Sequence, residues 1–256
     1  MKAIWKGSIS FGLVNIPVKL FSATEQSNLD LDMVDKRDMA KIHFKRTNEN
    51  TGNEVAWENI AKAYLMNEQY ILLDDQDFEE AAPEKSKIIE VNHFVDEREI
   101  DTIYFENSYY VEPEKSGIKA YALLREALIK SKKVGLAQFV MRTSEALCVL
   151  KPKDTILVLS KIRFAQEIRP IDEFILPSKK DVKPAELTMA LAIIDQYTDA
   201  FNISQFKDEY ALALLEVIKA KAKGNRKKPK TVKMPVDSTS DLMAQLKASL
   251  GKKKAS

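Results

Sequence analysis

The densest run of groups able to do chemistry is Asp74-Asp75-Gln76-Asp77-Phe78-Glu79-Glu80. Carboxylates can hold divalent cations for phosphoryl transfer, and a metal-dependent nuclease would draw on Asp74, Asp75 and Asp77. The competing account is electrostatic: acids are favoured in the first turn of a helix, where backbone dipoles present partial positive charge. These acids are consecutive rather than converging from separate elements, which favours a helix start. His43 sits in a basic segment as a surface or phosphate contact, and His93 has no acid or nucleophile pattern beside it. Cys148 stands in a strand with apolar Leu147, Val149 and Leu150, the setting of a buried, inert thiol. One Cys and two His cannot furnish a structural zinc site, and a lone Cys excludes an internal disulfide framework. No serine lies in a G-x-S-x-G elbow, and no glycine pattern for mononucleotides or dinucleotides occurs. The chain therefore offers no catalytic constellation, and neither enzyme activity nor a cofactor or metal is expected.

The basic residues point elsewhere. From Lys219 onward there are 12 basic and 2 acidic residues, against 28 basic and 36 acidic in residues 1–218. Such asymmetry suits a basic tail for a polyanion, nucleic acid first, with a solubilising disordered tail as the alternative. In the body, Lys36, Arg37, Lys41, Lys45 and Arg46 cluster in one polar segment. Lys130, Lys132 and Lys133 follow a helix, and Arg142 and Arg163 sit on strands. With Lys221, Lys223, Arg226, Lys227, Lys228 and Lys230 of the tail they are numerous enough to track phosphates. Aromatic residues do not interleave with them as a base-stacking sheet requires, and no helix has a groove-reading pattern. Backbone contact with duplex DNA, without sequence reading, is what remains.

The elements that must position these groups are mostly strands. Ala3, Trp5, Gly7, Ile9 and Phe11 alternate with polar residues, and after Gly12 the pattern resumes as Val14, Ile16, Val18 and Leu20. Gly12 is a bend, and Pro17 places its strand at an edge. Residues 22–60 are more polar: Lys41–Thr47, a turn at 48–53, and Glu54–Trp57 predict a projecting hairpin or extended arm. Further strands are predicted at Tyr70–Leu73, Lys87–Val91, Thr102–Phe105, Ser108–Glu112, Gln138–Arg142, Ala146–Leu150 and Asp154–Phe164. One helix, Lys119–Ser131, carries Tyr121, Leu124 and Leu128 on a stripe. Many short strands and one embedded helix, without βαβ rhythm, predict a mainly β fold with some α, a mostly antiparallel barrel.

Beyond Pro170 the period becomes helical, with helices starting near Lys183 and running from about Gln205 to Lys223, their stripes Leu187, Leu191, Ile194 and Leu212, Leu215, Ile218. Two such helices need a surface to cover, and a partner subunit is one. The segment 224–240 is a Lys/Pro-rich linker, and Leu242, Leu246 and Leu250 share one face of a last short helix that forms on docking. The division is residues 1–170 as core with an arm over about 22–80, 171–223 as helical arm, and 224–256 as tail. The start of the chain lacks an apolar run of signal-peptide length and no stretch approaches a membrane span, so a cytoplasmic, nucleoid-associated protein is expected.

The stretch from Ala3 to Thr24, AIWKGSISFGLVNIPVKLFSAT, resembles the opening of the bacterial Ku family. Ala82–Ser86, Phe94-Val95 ahead of Glu99–Asp101, Ile103–Phe105, Lys119–Leu128 and the Leu-rich strand before Arg163-Phe164 follow in the same order. The resemblance implies a Ku-type antiparallel β-barrel with a bridge arm and C-terminal helices embracing the other subunit. It implies a non-catalytic homodimeric ring that threads onto double-stranded DNA ends, protects them and recruits the bacterial end-joining DNA ligase. Leu242, Leu246 and Leu250 are the candidate ligase-docking face, or else pack onto their own dimer. The alternative reading is a chromatin-organising DNA-binding protein. Two departures stand out: Asn48 and Thr51 occupy the places of a C-x-x-C that many relatives carry, and Phe201-Asn202-Ile203 lacks the proline of a Phe-x-Pro segment.

Overall fold

A computed structural model of the chain describes residues 1–27, 29–81, 87–141, 144–224 and 242–250. It divides into two compact units, Met1–Gln26 with Leu31–Arg169, and Ser27–Asp30 with Pro170–Ser256.

The first unit is built on a closed seven-stranded barrel. In chain order its strands are β1 (Trp5–Phe11), β2 (Val14–Ser22), β5 (Ile88–Val95), β6 (Phe105–Pro113), β7 (Val134–Met141), β8 (Ser144–Lys153) and β9 (Ile156–Ile162); around the barrel the order is β1-β2-β6-β9-β8-β7-β5. Neighbours are antiparallel except at the closure, where β1 runs parallel to β5 through Ser8↔Ile88, Ile9↔Ile89 and Ser10↔Glu90. The period-two pattern explains what lies inside. Ile9, Ile16, Val18, Leu20, Val111, Leu157, Leu159, Cys148 and Leu150 are buried in one core, as alternation on a pleated sheet requires. Gly7 makes the closure possible: a Cβ there would collide with the Lys87 carbonyl oxygen and the Trp5 ring. Gly12, at φ +57°, turns β1 into β2 as expected.

At Pro17 the strand has a ladder partner on one side only, Ser8 of β1. β2 pairs on both sides, but its ladder to β6 begins at Val18↔Pro113, so the missing N–H falls where that pairing stops. Thr102–Tyr104 is a 3-10 turn instead of strand, because the Asp101 carboxylate accepts from Ile103 N at 3.0 Å and caps it. The outer face of β7, β8 and β9 is apolar too. Val134, Val149 and Ile162 are buried there, with Val95, Ile100, Tyr104 and Phe105 packed against them.

Helix α2 (Ile118–Ser131) packs Tyr121, Leu124 and Leu128 into the barrel core. The Tyr121 hydroxyl donates to the Val111 carbonyl at 2.7 Å and accepts from Leu157 N at 2.6 Å, tying the helix to β6 and β9. The arm, between β2 and β5, has isolated bridges Val34↔Lys41 and Thr47↔Glu54, so the hairpin there is sparsely paired. A two-stranded sheet of β3 (Lys62–Met66) and β4 (Gln69–Leu73) follows, turning at Asn67 and Glu68, both at positive φ. α1 (Asp75–Ala81) comes next.

The second unit holds α3 (Pro184–Tyr197), α4 (Glu209–Ala222) and α5 (Leu242–Leu250), and α5 packs on α3. Pro184 opens α3 at a position where no N–H is needed. Asp208 caps α4 by accepting from Ala211 N at 2.8 Å, so this helix starts later than the predicted Gln205.

Replacing Tyr121 by Phe removes two buried hydrogen bonds and should cost about 1–3 kcal/mol, read as a lower urea midpoint. Burial raises the Tyr121 pKa above its ordinary 10.0, against the lowering effects of the Leu157 N–H and Arg125. The folded state therefore holds the phenolic proton more tightly than the unfolded one. This contribution is intact below about pH 10 and fades as pH climbs through the raised value. Tyr121→Phe should lose that part of the alkaline fall in stability.

Candidate nucleic-acid interface

The buried stripe of α2 dictates what the helix shows outside. Lys119 and Lys130 lie on the side opposite Tyr121, Leu124 and Leu128, 11 residues and about 16 Å apart along the axis. Lys115 precedes the helix in a 3-10 turn, and Lys132 and Lys133 follow it. All five are exposed. Lys132 ends the helix at φ 55°, a left-handed position that usually takes glycine. Residues 115–133 contain six basic side chains and one acid, Glu126. That acid is held by Arg125 at 2.8 Å, whose other arm donates to the Thr155 carbonyl at 2.7 Å. The five lysines have no ion-pair partner among the described residues, leaving a cationic rim along α2. Of these, Lys119 has a signal in the sequence, its position opposite the apolar stripe of the helix, whereas Lys115 lies in the turn before it.

The arm differs. Lys36, Arg37, Lys41, Lys45 and Arg46 are all exposed, yet most are engaged. Arg37 grips Asp35 with Nη2 at 2.6 Å and Nε at 3.1 Å. Arg37 holds the Asp35 carboxyl below its usual range, and Asp35 in turn raises the guanidinium. Lys41 pairs with Asp32 at 3.0 Å and Lys45 with Glu54 at 2.6 Å. The Arg46 guanidinium lies 4.6 Å over the Trp57 ring. Residues 22–80 carry 14 acidic and 6 basic side chains, so these cations are set among carboxylates. Exposed pairs of this kind contribute little stability and can exchange for phosphate.

Other predicted contacts scatter. Arg163 donates to the Ile103 and Phe105 carbonyls at 3.2 and 3.1 Å and pairs with Glu106 at 3.3 Å, which fastens the 3-10 turn to β9. Lys221 and Lys223 are exposed at the C-terminal end of α4. Arg142, Arg226, Lys227, Lys228 and Lys230 lie outside the described residues. In α5, Leu246 and Leu250 are half-buried together with Met243, while Leu242 is exposed. A cleft of about 750 Å³ on the outer face of β6, β8 and β9 has Lys151 and Lys153 on one wall. Lys151 is paired with Glu97 at 2.5 Å.

Among the groups considered for catalysis, Asp74 and Asp77 are engaged in capping a helix. Asp74 Oδ1 accepts from the Gln76 and Asp77 amides at 2.9 and 3.0 Å, and Asp77 Oδ2 accepts from Asp74 N at 2.8 Å, a reciprocal cap for α1. Asn48 Oδ1 accepts from the Asn50 and Thr51 amides at 3.0 and 3.1 Å, so the arm's turn closes by side-chain hydrogen bonds. Cys148 is buried, its thiol directed to the Ala137 carbonyl, and burial pushes its pKa far up. His43 and His93 are exposed. Among the described residues no group of three His, Cys, Asp or Glu could hold a metal ion, and no helix is long and apolar enough to cross a membrane.

The family model described as the Ku70/Ku80 beta-barrel domain matches residues 10–189. A protein of Coxiella burnetii named "Non-homologous end joining protein Ku" is 37% identical over 227 residues, covering 87% of this chain and 83% of its own. Proteins of the same name from Opitutus terrae and Archaeoglobus fulgidus are 36% and 35% identical, covering 98% of this chain and 91% and 98% of their own.

Changing Lys130, Lys132 and Lys133 together to Ser should lessen the slope of log affinity against log salt for duplex DNA by about two to three, since each lost phosphate contact removes about 0.9. Lys41→Ser with Lys45→Ser, where both cations already face carboxylates, should change it by less than one. Filter-binding titrations at several salt concentrations measure both.

Proposed function

The chain belongs to the Ku family, and we propose that it acts in non-homologous end joining as a non-catalytic homodimeric ring that threads onto double-stranded DNA ends without reading their sequence. The observation that carries this reading is where the buried residues lie. Among the described residues, every buried one falls between Ile9 and Ile162, and neither residues 22–80 nor the second unit contains any. Yet the arm exposes Phe44, Trp57 and Tyr70, and the second unit exposes Leu191, Ile194 and Phe201. An isolated two-stranded sheet is marginal in water, and apolar surface of this extent belongs against a partner. A second copy supplies matching surface for both parts in one closed, twofold pair.

A ring explains how a net acidic body serves a polyanion. Enclosure holds the duplex by topology, so few base contacts are needed. Cations such as those along α2 supply phosphate contacts that release counterions. The tail, from Lys219 onward, adds affinity indifferent to sequence. Sealing a break is covalent chemistry for which this chain offers no constellation, so a multidomain ATP-dependent DNA ligase is the proposed partner. Leu242, on the exposed side of α5, is the part of the Leu242, Leu246, Leu250 face left open to it. The site of action is the chromosome in the cytoplasm.

Linear duplex should compete for the full-length protein at least tenfold better than a nick-free circle of the same sequence in an electrophoretic assay. Protein bound before a linear molecule is circularised should resist a salt challenge that strips it from open ends. Equal competition by the circle would instead support the chromatin-organising alternative.

A further inference from the structure

Helix α3 is apolar on two sides, and only one of them is covered. At 100° per residue, Met189, Ala190 and Ile193 form one stripe and Leu187, Leu191 and Ile194 a second, about 120° away. The first stripe is half-buried, and α5 is the element packed on α3. The half-buried side chains of α5 are Met243, Leu246 and Leu250, spaced i, i+3 and i+7 as a single helix face. On the second stripe Leu187, Leu191 and Ile194 are 49%, 56% and 63% exposed.

The number of open faces governs how copies assemble. One self-complementary face closes after two chains, whereas a second, non-equivalent face lets copies keep adding. We infer that α5 is a stopper: it occupies the Met189, Ala190 and Ile193 face of α3 with the chain's own C-terminal helix and thereby limits self-association to two copies. This rests on the reading above that a second copy docks on the open stripe. A nine-residue helix does not hold its fold without a surface, so charges on its apolar face should undock it. The barrel core, which ends at Ile162, is untouched by such changes.

The test uses the full-length chain carrying Met243→Asp, Leu246→Asp and Leu250→Asp, compared with the unaltered protein by sedimentation velocity over a wide concentration range. The unaltered chain should stop at two copies, while the variant should continue to larger species. An excess of synthetic peptide with the sequence of residues 241–251 should return the variant to two. Leu187→Asp with Ile194→Asp, on the open stripe, should give single chains. A triple variant that stays at two copies overturns the inference, and so do larger species that the peptide does not reverse. One that falls to single chains overturns it as well, because α5 would then belong to the pair interface. Should the unaltered protein run as a single chain, or the open-stripe variant still pair, the dimer reading itself fails and the stopper with it.

Discussion

A sheet closed on itself has one interior and no free edge, and everything else in this chain follows from how that interior is filled. The parallel contact of β1 with β5 completes the circle, and it depends on Gly7, where any side chain would strike the Lys87 carbonyl and the Trp5 ring. Tyr121, Leu124 and Leu128 of α2 enter the core, and the hydroxyl of Tyr121 satisfies a carbonyl of β6 and an amide of β9. The segment around Ile100 and Tyr104 covers the outer face. Among the described residues, no side chain of the arm or of α3, α4 and α5 is fully buried.

Charge divides along similar lines. The arm carries more than two acids for each base, and three of its cations already face carboxylates. The α2 segment has the reverse balance, with its single acid taken by Arg125. A lysine free of partners binds phosphate without first breaking an ion pair. The outward side of α2 is thus better suited to polyanion contact than the more conspicuous basic cluster of the arm.

Much of this was legible from the chain alone, and particular residues show why. Ile9, Val18 and Leu20 alternate with polar neighbours, and Tyr121, Leu124 and Leu128 recur at helical spacing; both patterns are local consequences of backbone geometry. Turn chemistry located Gly12. Where local reasoning failed, a distant residue had intervened. Thr102–Tyr104 has strand composition, but Asp101 caps it as a turn and Arg163, 60 residues away from Ile103, ties it down. Arg163 looked like any strand cation until its hydrogen bonds were seen. Lys119 is one lysine among many in the sequence, and only the apolar stripe opposite it sets it apart.

The sequence by itself determined the barrel class, the embedded helix, the helical C-terminal part and, through matching segments in order, the family. Those depend on periodicity and on runs of residues, which a linear string displays directly. Only the tertiary structure decided that β1 meets β5 in parallel, that Lys151 is bound by Glu97 while the lysines of α2 have no ion-pair partner among the described residues, and that Met243 joins Leu246 and Leu250 on the half-buried side of α5. Such outcomes are set by distances between groups far apart along the chain, and those distances exist only once the barrel has closed and the helices have docked.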